Sequence, residues 1–249
     1  KTFSIPNNIT KKINYFCEQN KLSIYNLFMA IYSIYIGKIC NLTDFVIGTP
    51  ILNRCNFAQK NTHGMFITTL PVRINLSSNN TFLNYIKNFS LNSISMFRHQ
   101  KYPYENIMNT IKEKHGISSL YDIMVSYQNA RFEEQETKYK SHWNFNGYAE
   151  LSFMLNIDDL QNSGGLNINI DYKKEAFSEE EVEKIYNRLI NIVNQVINQR
   201  EILFKDVEIV TPEEKQTILY DFNNTKKDYP KEKRIYDYIE EHALLTPDK

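Results

Sequence analysis

Cysteine, glycine and tryptophan are scarce in this 249-residue chain, with 3, 7 and 1 copies, and each shortage removes a class of answer. Cys17, Cys40 and Cys55 are odd in number and show no Cys-x-x-Cys spacing. That argues against a disulfide framework or a zinc site and for the reduced thiols of a cytoplasmic protein. No glycine-rich phosphate loop, Gly-x-Ser-x-Gly elbow or His-Glu-x-x-His string occurs, so the common nucleotide, serine-nucleophile and zinc-hydrolase signatures are missing. Net charge is lacking too: 29 basic residues cancel 29 acidic ones. No overall field gathers nucleic acid or an anionic membrane, and neither is an expected partner. The most apolar stretch, Ile24 to Cys40, is broken by Asn26, Ser33 and Gly37 and falls short of the roughly 20 residues that span a bilayer. It reads as a buried helix. The chain opens Lys1-Thr2-Phe3 without a signal-peptide pattern and reads as cut from something longer.

What is present is a hydrophobic fraction of 42%, enough for a buried core and against general disorder. Ile9, Ile13, Phe16 and Cys17 recur at helical spacing after a cap at Asn7 or Asn8, and Asn20-Lys21 closes that helix. Ser23 opens the buried helix. Phe45 to Pro50 reads as a strand, and Met65 to Asn75 as a second one interrupted by Pro71, with a polar loop holding Asn53, Arg54 and His63 between them. Helices follow from about Thr81 to Arg98 and from Pro103, in a first-turn position, to Lys114. Tyr121 to Tyr127 is a β-type run, and Arg131 to Lys140 is a charged, mobile stretch. Leu151 to Leu155 and Leu166 to Tyr172 form a hairpin about Ser163-Gly164-Gly165. Its second strand puts Leu166, Ile168, Ile170 and Tyr172 on one face. Ser178 with Glu181 is a capping box for a long helix, Glu179 to Asn198, whose apolar stripe runs from Val182 to Val196. Thr211-Pro212 starts a short helix, Asn223 to Pro230 reads as a linker, and Arg234 to Leu244 begins another helix. Asparagine is abundant throughout, as an A- and T-rich genome would produce, which weakens arguments from asparagine counts.

No local motif supplies the base, orienting carboxylate and oxyanion donors of an acyl-transfer catalyst together. His63, His99, His115, His142 and His242 are scattered and read as turn or surface residues; His63 and His99 have the best claim to more. Aromatic residues at helical and strand periods read as core rather than as a nucleic-acid stacking platform. Arg54, in a loop after a strand, is a candidate to pair with a carboxylate elsewhere.

Taken together, four segments resemble the C-terminal half of a condensation domain of nonribosomal peptide synthetases. Gly48-Thr49-Pro50-Ile51-Leu52-Asn53-Arg54 is similar to the family's Gly-x-Pro-x-x-x-Arg loop. Gly64 to Arg73 is similar to Gly-x-Phe-Val-Asn-Thr-Leu-Pro-x-Arg, and His99-Gln100-Lys101-Tyr102-Pro103-Tyr104-Glu105 to His-Gln-Asp-Tyr-Pro-Phe-Glu. Ser119 to Asn129 resembles Pro-Leu-Phe-Asp-Val-Met-Phe-x-x-Gln-Asn. The four stand in family order, and the resemblance covers about residues 1–215. Asp221-Phe222-Asn223-Asn224-Thr225, Tyr229-Pro230 and Thr246-Pro247-Asp248 resemble the junction into an adenylation domain.

The resemblance implies an α/β, chloramphenicol acetyltransferase-like fold, of which this chain is one half. It divides the chain into the condensation C-terminal subdomain at 1–210, a linker at 211–233 and the start of an adenylation domain at 234–249. The implied chemistry is peptide-bond formation in a tunnel between the halves, and the family's catalytic His-His-x-x-x-Asp-Gly signature is absent from this chain. No catalytic residue, metal or directly bound cofactor is therefore expected here. The implied partners are the N-terminal half, carrier domains with their phosphopantetheine arms, and an adenylation domain in the same chain; self-association through the exposed inner face is a further expectation. Arg54 matches the arginine that pairs with the signature's aspartate. Thr68, Thr69, Ser126 and Gln128 are the implied substrate-binding positions, although Thr68 replaces the usual Asn and Lys101 the usual Asp. His99, Pro103 and Glu105 read as a turn and a helix start. A carrier-docking module without chemistry and a cyclisation or epimerisation relative are the alternatives.

Overall fold

Local capping chemistry starts most helices where the sequence places it. The computed structural model describes residues 1–77, 79–129, 147–148, 150–159, 165–228 and 231–247. Helix α1, Asn7–Asn20, ends at Lys21 in the left-handed conformation (φ 55°, ψ 43°). Its cap is Pro6 rather than Asn7 or Asn8, because the fixed proline φ already suits entry into a first turn. Helix α2, Ile24–Ile39, opens on Ser23, whose Oγ accepts the Asn26 N–H at 3.1 Å. Eleven of its 16 residues are buried, and its interior Ser33 donates to the Met29 carbonyl at 2.7 Å, so the polar interruptions leave it whole.

A single turn, α3 (Phe57–Lys60), lies in the polar loop. Helix α4 spans Phe82–Arg98 and is capped by Thr81; α5, Tyr104–His115, follows Pro103, which sits at the cap rather than in the first turn. Helix α6, Glu179–Asn198, carries the capping box: Glu181 N–H donates to Ser178 Oγ at 3.2 Å, and Ser178 N–H to the Glu181 carboxylate at 2.7 Å.

Six strands, β1 (Thr2–Ser4), β2 (Asp44–Ile51), β3 (Thr68–Asn75), β4 (Ile123–Gln128), β5 (Phe153–Asp158) and β6 (Asn167–Tyr172), form one mixed sheet in the order β1-β6-β5-β4-β2-β3. Strands β5 and β6 pair antiparallel from Phe153–Tyr172 to Asp158–Asn167, as a hairpin requires. Of its turn only Gly165 is described, and the charged stretch Arg131 to Lys140 lies outside the described residues. Pro71 does not interrupt β3, which is continuous. The Leu76 N–H bonds to the Thr43 carbonyl at 2.7 Å, so the even-numbered N–H groups of β3 point to β2. Pro71 falls on the free edge of this outermost strand, where no N–H is needed.

Alternation divides the sheet. Ile47, Val125, Leu155, Ile157, Ile168 and Ile170 are fully buried on the helix-covered face, against α2 and α6 stripe residues such as Leu27, Ile31, Leu189 and Val193. Phe153 stacks on Tyr32 (6.1 Å, 17°) and meets Phe177 edge-on (5.3 Å, 66°). Cys17 belongs to this core, and burial pushes its thiol pKa up to about 12. Cys40 and Cys55 are exposed. Brief alkylation of the native protein is therefore expected to label Cys40 and Cys55 and spare Cys17 until denaturant is added, read by peptide mass spectrometry. Equal labelling of all three would contradict this packing.

The chain divides into two compact units, Lys1–Thr211 and Pro212–Lys249. The first contains the sheet and helices α1 to α6. The second holds α7 (Pro212–Gln216), a π-helical turn at Thr217–Asp221, and α8 (Ile235–Leu245). None of its described residues is buried. Among the described residues no single helix is long and apolar enough to cross a membrane.

Candidate functional site

Toward β5, β6 and β1 the face of the sheet turned away from α2 and α6 is mostly polar. Asn156 and Asp158 of β5 alternate with its core residues, as do Asn167, Asn169 and Asp171 of β6. On the outer strand Thr2 and Ser4 oppose Asn169 and Asn167, and their hydroxyls donate to those side-chain carbonyls at 2.7 and 2.8 Å. The Asp158 carboxylate accepts from Asn169 Nδ2 at 2.6 Å and Asn167 Nδ2 at 3.3 Å. In the next row Ser126 Oγ donates to Asn156 Oδ1 at 2.6 Å, and Asn156 Nδ2 to Asp171 at 3.1 Å. Asn156, Asn169, Asp158 and Ser126 are buried, and every one of them has a partner, as buried polar groups require.

Register places Thr69, Ser126 and Gln128 on this face: Thr69 opposes Pro50, and Gly48 pairs with Met124. Thr69 and Ser126 are thus two strands apart, about 10 Å at the usual strand spacing. Thr68 is not with them. It opposes Ile51 and shares the other face with Leu70 and Val72. Gln128 is exposed, and its backbone carbonyl accepts the Asp159 N–H at 2.9 Å.

Tyr121 completes the Thr69 end. A Cβ on Gly48 would fall 2.6 Å from the Tyr121 ring, so the missing side chain is what lets the ring lie against β2. The Tyr104 ring of α5 is 5.5 Å away. Burial, aided by the neighbouring Tyr104 oxygen, raises the Tyr121 hydroxyl above the usual tyrosine range, while its bond with Thr69 pulls it partway back. Sequence reasoning missed Tyr121, Asn156 and Asp171. The period-two alternation of polar residues through β5 and β6 was the available signal for the latter two.

Arg54 lies in the loop after β2. One guanidinium nitrogen donates to the carbonyls of Gln59 and Thr62, the latter at 2.6 Å, and the other to Gly64 at 2.9 Å. Its guanidinium carbon lies 4.2 Å from the centre of the Phe66 ring. Asn56 caps the α3 turn inside the loop, and Lys101 reaches in from beyond α4 to bond the Asn53 carbonyl at 2.8 Å. The loop is thereby pinned, with Leu52, Phe57, Met65 and Ile67 exposed on it. His99 caps the end of α4 and Glu105 lies in the first turn of α5. No group of three or more His, Cys, Asp or Glu side chains with metal-holding geometry occurs among the described residues. Ser126 and the asparagines of this face are spent on one another, so the polar groups it offers at the surface are those of the half-buried Thr69 and the exposed Gln128.

The family model described as Condensation domain matches residues 1–219. A plipastatin synthase polypeptide of Bacillus subtilis (strain 168) is 29% identical over 250 residues, covering 100% of this chain and 10% of that protein. A surfactin synthase polypeptide of the same organism is 27% identical over 246 residues, 98% of this chain and 7% of its own length. The chain therefore spans a tenth or less of these two relatives. Among solved structures, a four-domain nonribosomal peptide synthetase bound to AMP and glycine superposes with a TM-score of 0.84 at 15% identity, over 100% of this chain and 20% of its own. The first condensation domain of the CDA synthetase superposes with a TM-score of 0.68 at 13% identity, over 85% of this chain and 48% of its own.

Proposed function

This chain belongs to the condensation domain family, and from that premise we propose that it is the C-terminal half of such a domain in a nonribosomal peptide synthetase. The observation that carries the reading is the coverage: most of this chain accounts for 48% of a solved condensation domain. The polar face with Thr69, Ser126 and Gln128 is the tunnel wall contributed by this half. There the phosphopantetheine arms of two carrier domains meet, the amine nitrogen of one bonds to the thioester carbon of the other, and the thiol departs with a proton. The groups that move that proton lie on the N-terminal half. Thr68, on the opposite face of β3, is no part of that wall. Arg54 holds the loop that meets the partner half; the carbonyls it now bonds keep its always-charged guanidinium positioned for a carboxylate there.

The relatives' similarity continues past residue 219, where the family model stops. On this reading the condensation half is 1–210, close to the end of the compact unit Lys1–Thr211, with a linker at 211–233 into which the family match extends and the start of an adenylation domain at 234–249. The exposed Ile235, Ile239, Leu244 and Leu245 of α8 are then the side chains the rest of that domain covers, and the proposal extends to a cytoplasmic location.

The test is peptide transfer between two loaded carrier domains. Product is expected from this chain mixed with a separately expressed upstream half, and none from either alone. In the mixture Arg54→Ala is expected to lower the rate at least tenfold. Product from this chain alone would overturn the split-site reading. A well-associated mixture without product would favour carrier docking without chemistry.

A further inference from the structure

Strands β2 and β4 are joined by a single residue pair, Gly48–Met124, whereas β4 and β5 pair over six residues and β2 and β3 over eight. Toward the start of both strands a cleft of about 510 Å³ lies between them. Phe45 and Val46 of β2, Ile123 of β4, and the exposed Ile39 of α2 and Leu42 beyond it line the cleft, with the buried rings of Tyr32 and Phe153 behind them. This volume falls within the roughly 300–1,000 Å³ usual for small-molecule sites, which pair mostly apolar walls with a few fixed polar groups. The cleft lies at the opposite end of β2 from Arg54, roughly 25 Å along an eight-residue strand. It uses none of Thr69, Ser126, Gln128 or Arg54, and the ring of Tyr121, whose hydroxyl bonds Thr69, is the element the two places share.

Its polar group is equally definite. Asp122 is the one charged side chain among the described residues that line the cleft. Ser152 orients it: the Ser152 N–H donates to Asp122 Oδ1 at 3.1 Å and the Ser152 hydroxyl to Oδ2. An ionised carboxylate has about four acceptor positions, so two bonds fix its direction and leave capacity for another donor. An oriented anion at a mostly apolar opening selects for charge as well as shape.

We propose that this cleft binds a small apolar molecule carrying one cationic amine, with the hydrocarbon body against Phe45 and the exposed Ile39 and Leu42 and the ammonium at Asp122. The test compares three probes of similar size and different head group on the full chain: 2-phenylethylamine, 2-phenylethanol and 3-phenylpropanoate, followed by amide chemical shifts. The amine is expected to shift Phe45, Val46 and Ile123 and to bind at least tenfold more tightly than the alcohol, with the carboxylate weakest. Asp122→Asn is expected to make amine and alcohol equal. Equal affinity for all three probes, or shifts confined to other parts of the chain, would overturn the proposal. The probe series on the unaltered chain decides this even if the Asn variant fails to fold.

Discussion

Cutting Phe153 back to alanine is expected to lower the unfolding free energy of the 1–211 unit by about 4 kcal/mol. The ring is 2% exposed and is held between Tyr32 and Phe177 at the start of β5. Its removal loses the transfer free energy of a full aromatic side chain and adds the cost of a void. Neighbours cannot close on that void cheaply, because β5 is hydrogen-bonded on both sides, to β4 and β6, over six residues each. Urea unfolding followed by circular dichroism measures the effect as a shift in midpoint. A loss below about 1.5 kcal/mol would mean that α2 and α6 relax onto the sheet, and that this region is less tightly packed than the ring contacts indicate.

Asn169→Leu, a change of similar volume, is expected to cost about 3 kcal/mol although it makes the interior more apolar. Asn169 is 1% exposed and supplies the shorter of the two amide bonds to the buried Asp158 carboxylate, while accepting from Thr2. Leucine leaves a buried anion short of a donor and a hydroxyl short of an acceptor, and unmet polar groups cost more than the net worth of their bonds. Replacing Asp158 and Asn169 together by apolar residues is expected to cost clearly less than the sum of the two single changes. Additive losses would show that the ladder acts as independent contacts and not as a network.

That ladder also marks where sequence reading reaches its limit. The alternation through Leu166, Ile168, Ile170 and Tyr172 correctly assigns the helix-covered face of β6, because apolar residues at period two have one low-energy placement. The same pattern says nothing about what covers the opposite face, and a strand with asparagine there reads like any half-solvated strand. Discounting asparagine as a compositional bias therefore hid Asn156, Asn167 and Asn169, which are buried and bonded. Strand β1 escaped notice because three residues carry no period. It is defined by partners 163 to 167 residues away in sequence, as the Ser4 and Thr2 side-chain bonds show. Arg54 shows the complementary case. Its position was legible from the resemblance, but its present partners are backbone carbonyls of Gln59, Thr62 and Gly64, and backbone acceptors leave no mark in composition.

The distance between β1 and its partner also sets a timetable. A ribosome adding about 5–20 residues per second needs roughly 10–30 s to go from β1 to the last residue of β6. Until β5 and β6 are made, α1 and α2 lack part of the sheet that covers them, and the strongly apolar α2 is the segment most in need of shelter from neighbouring nascent chains. Closure of β1 onto β6 is then the last event in assembling the sheet, and slow translation before residue 167 prolongs exposure while a pause after residue 172 lets the edge close.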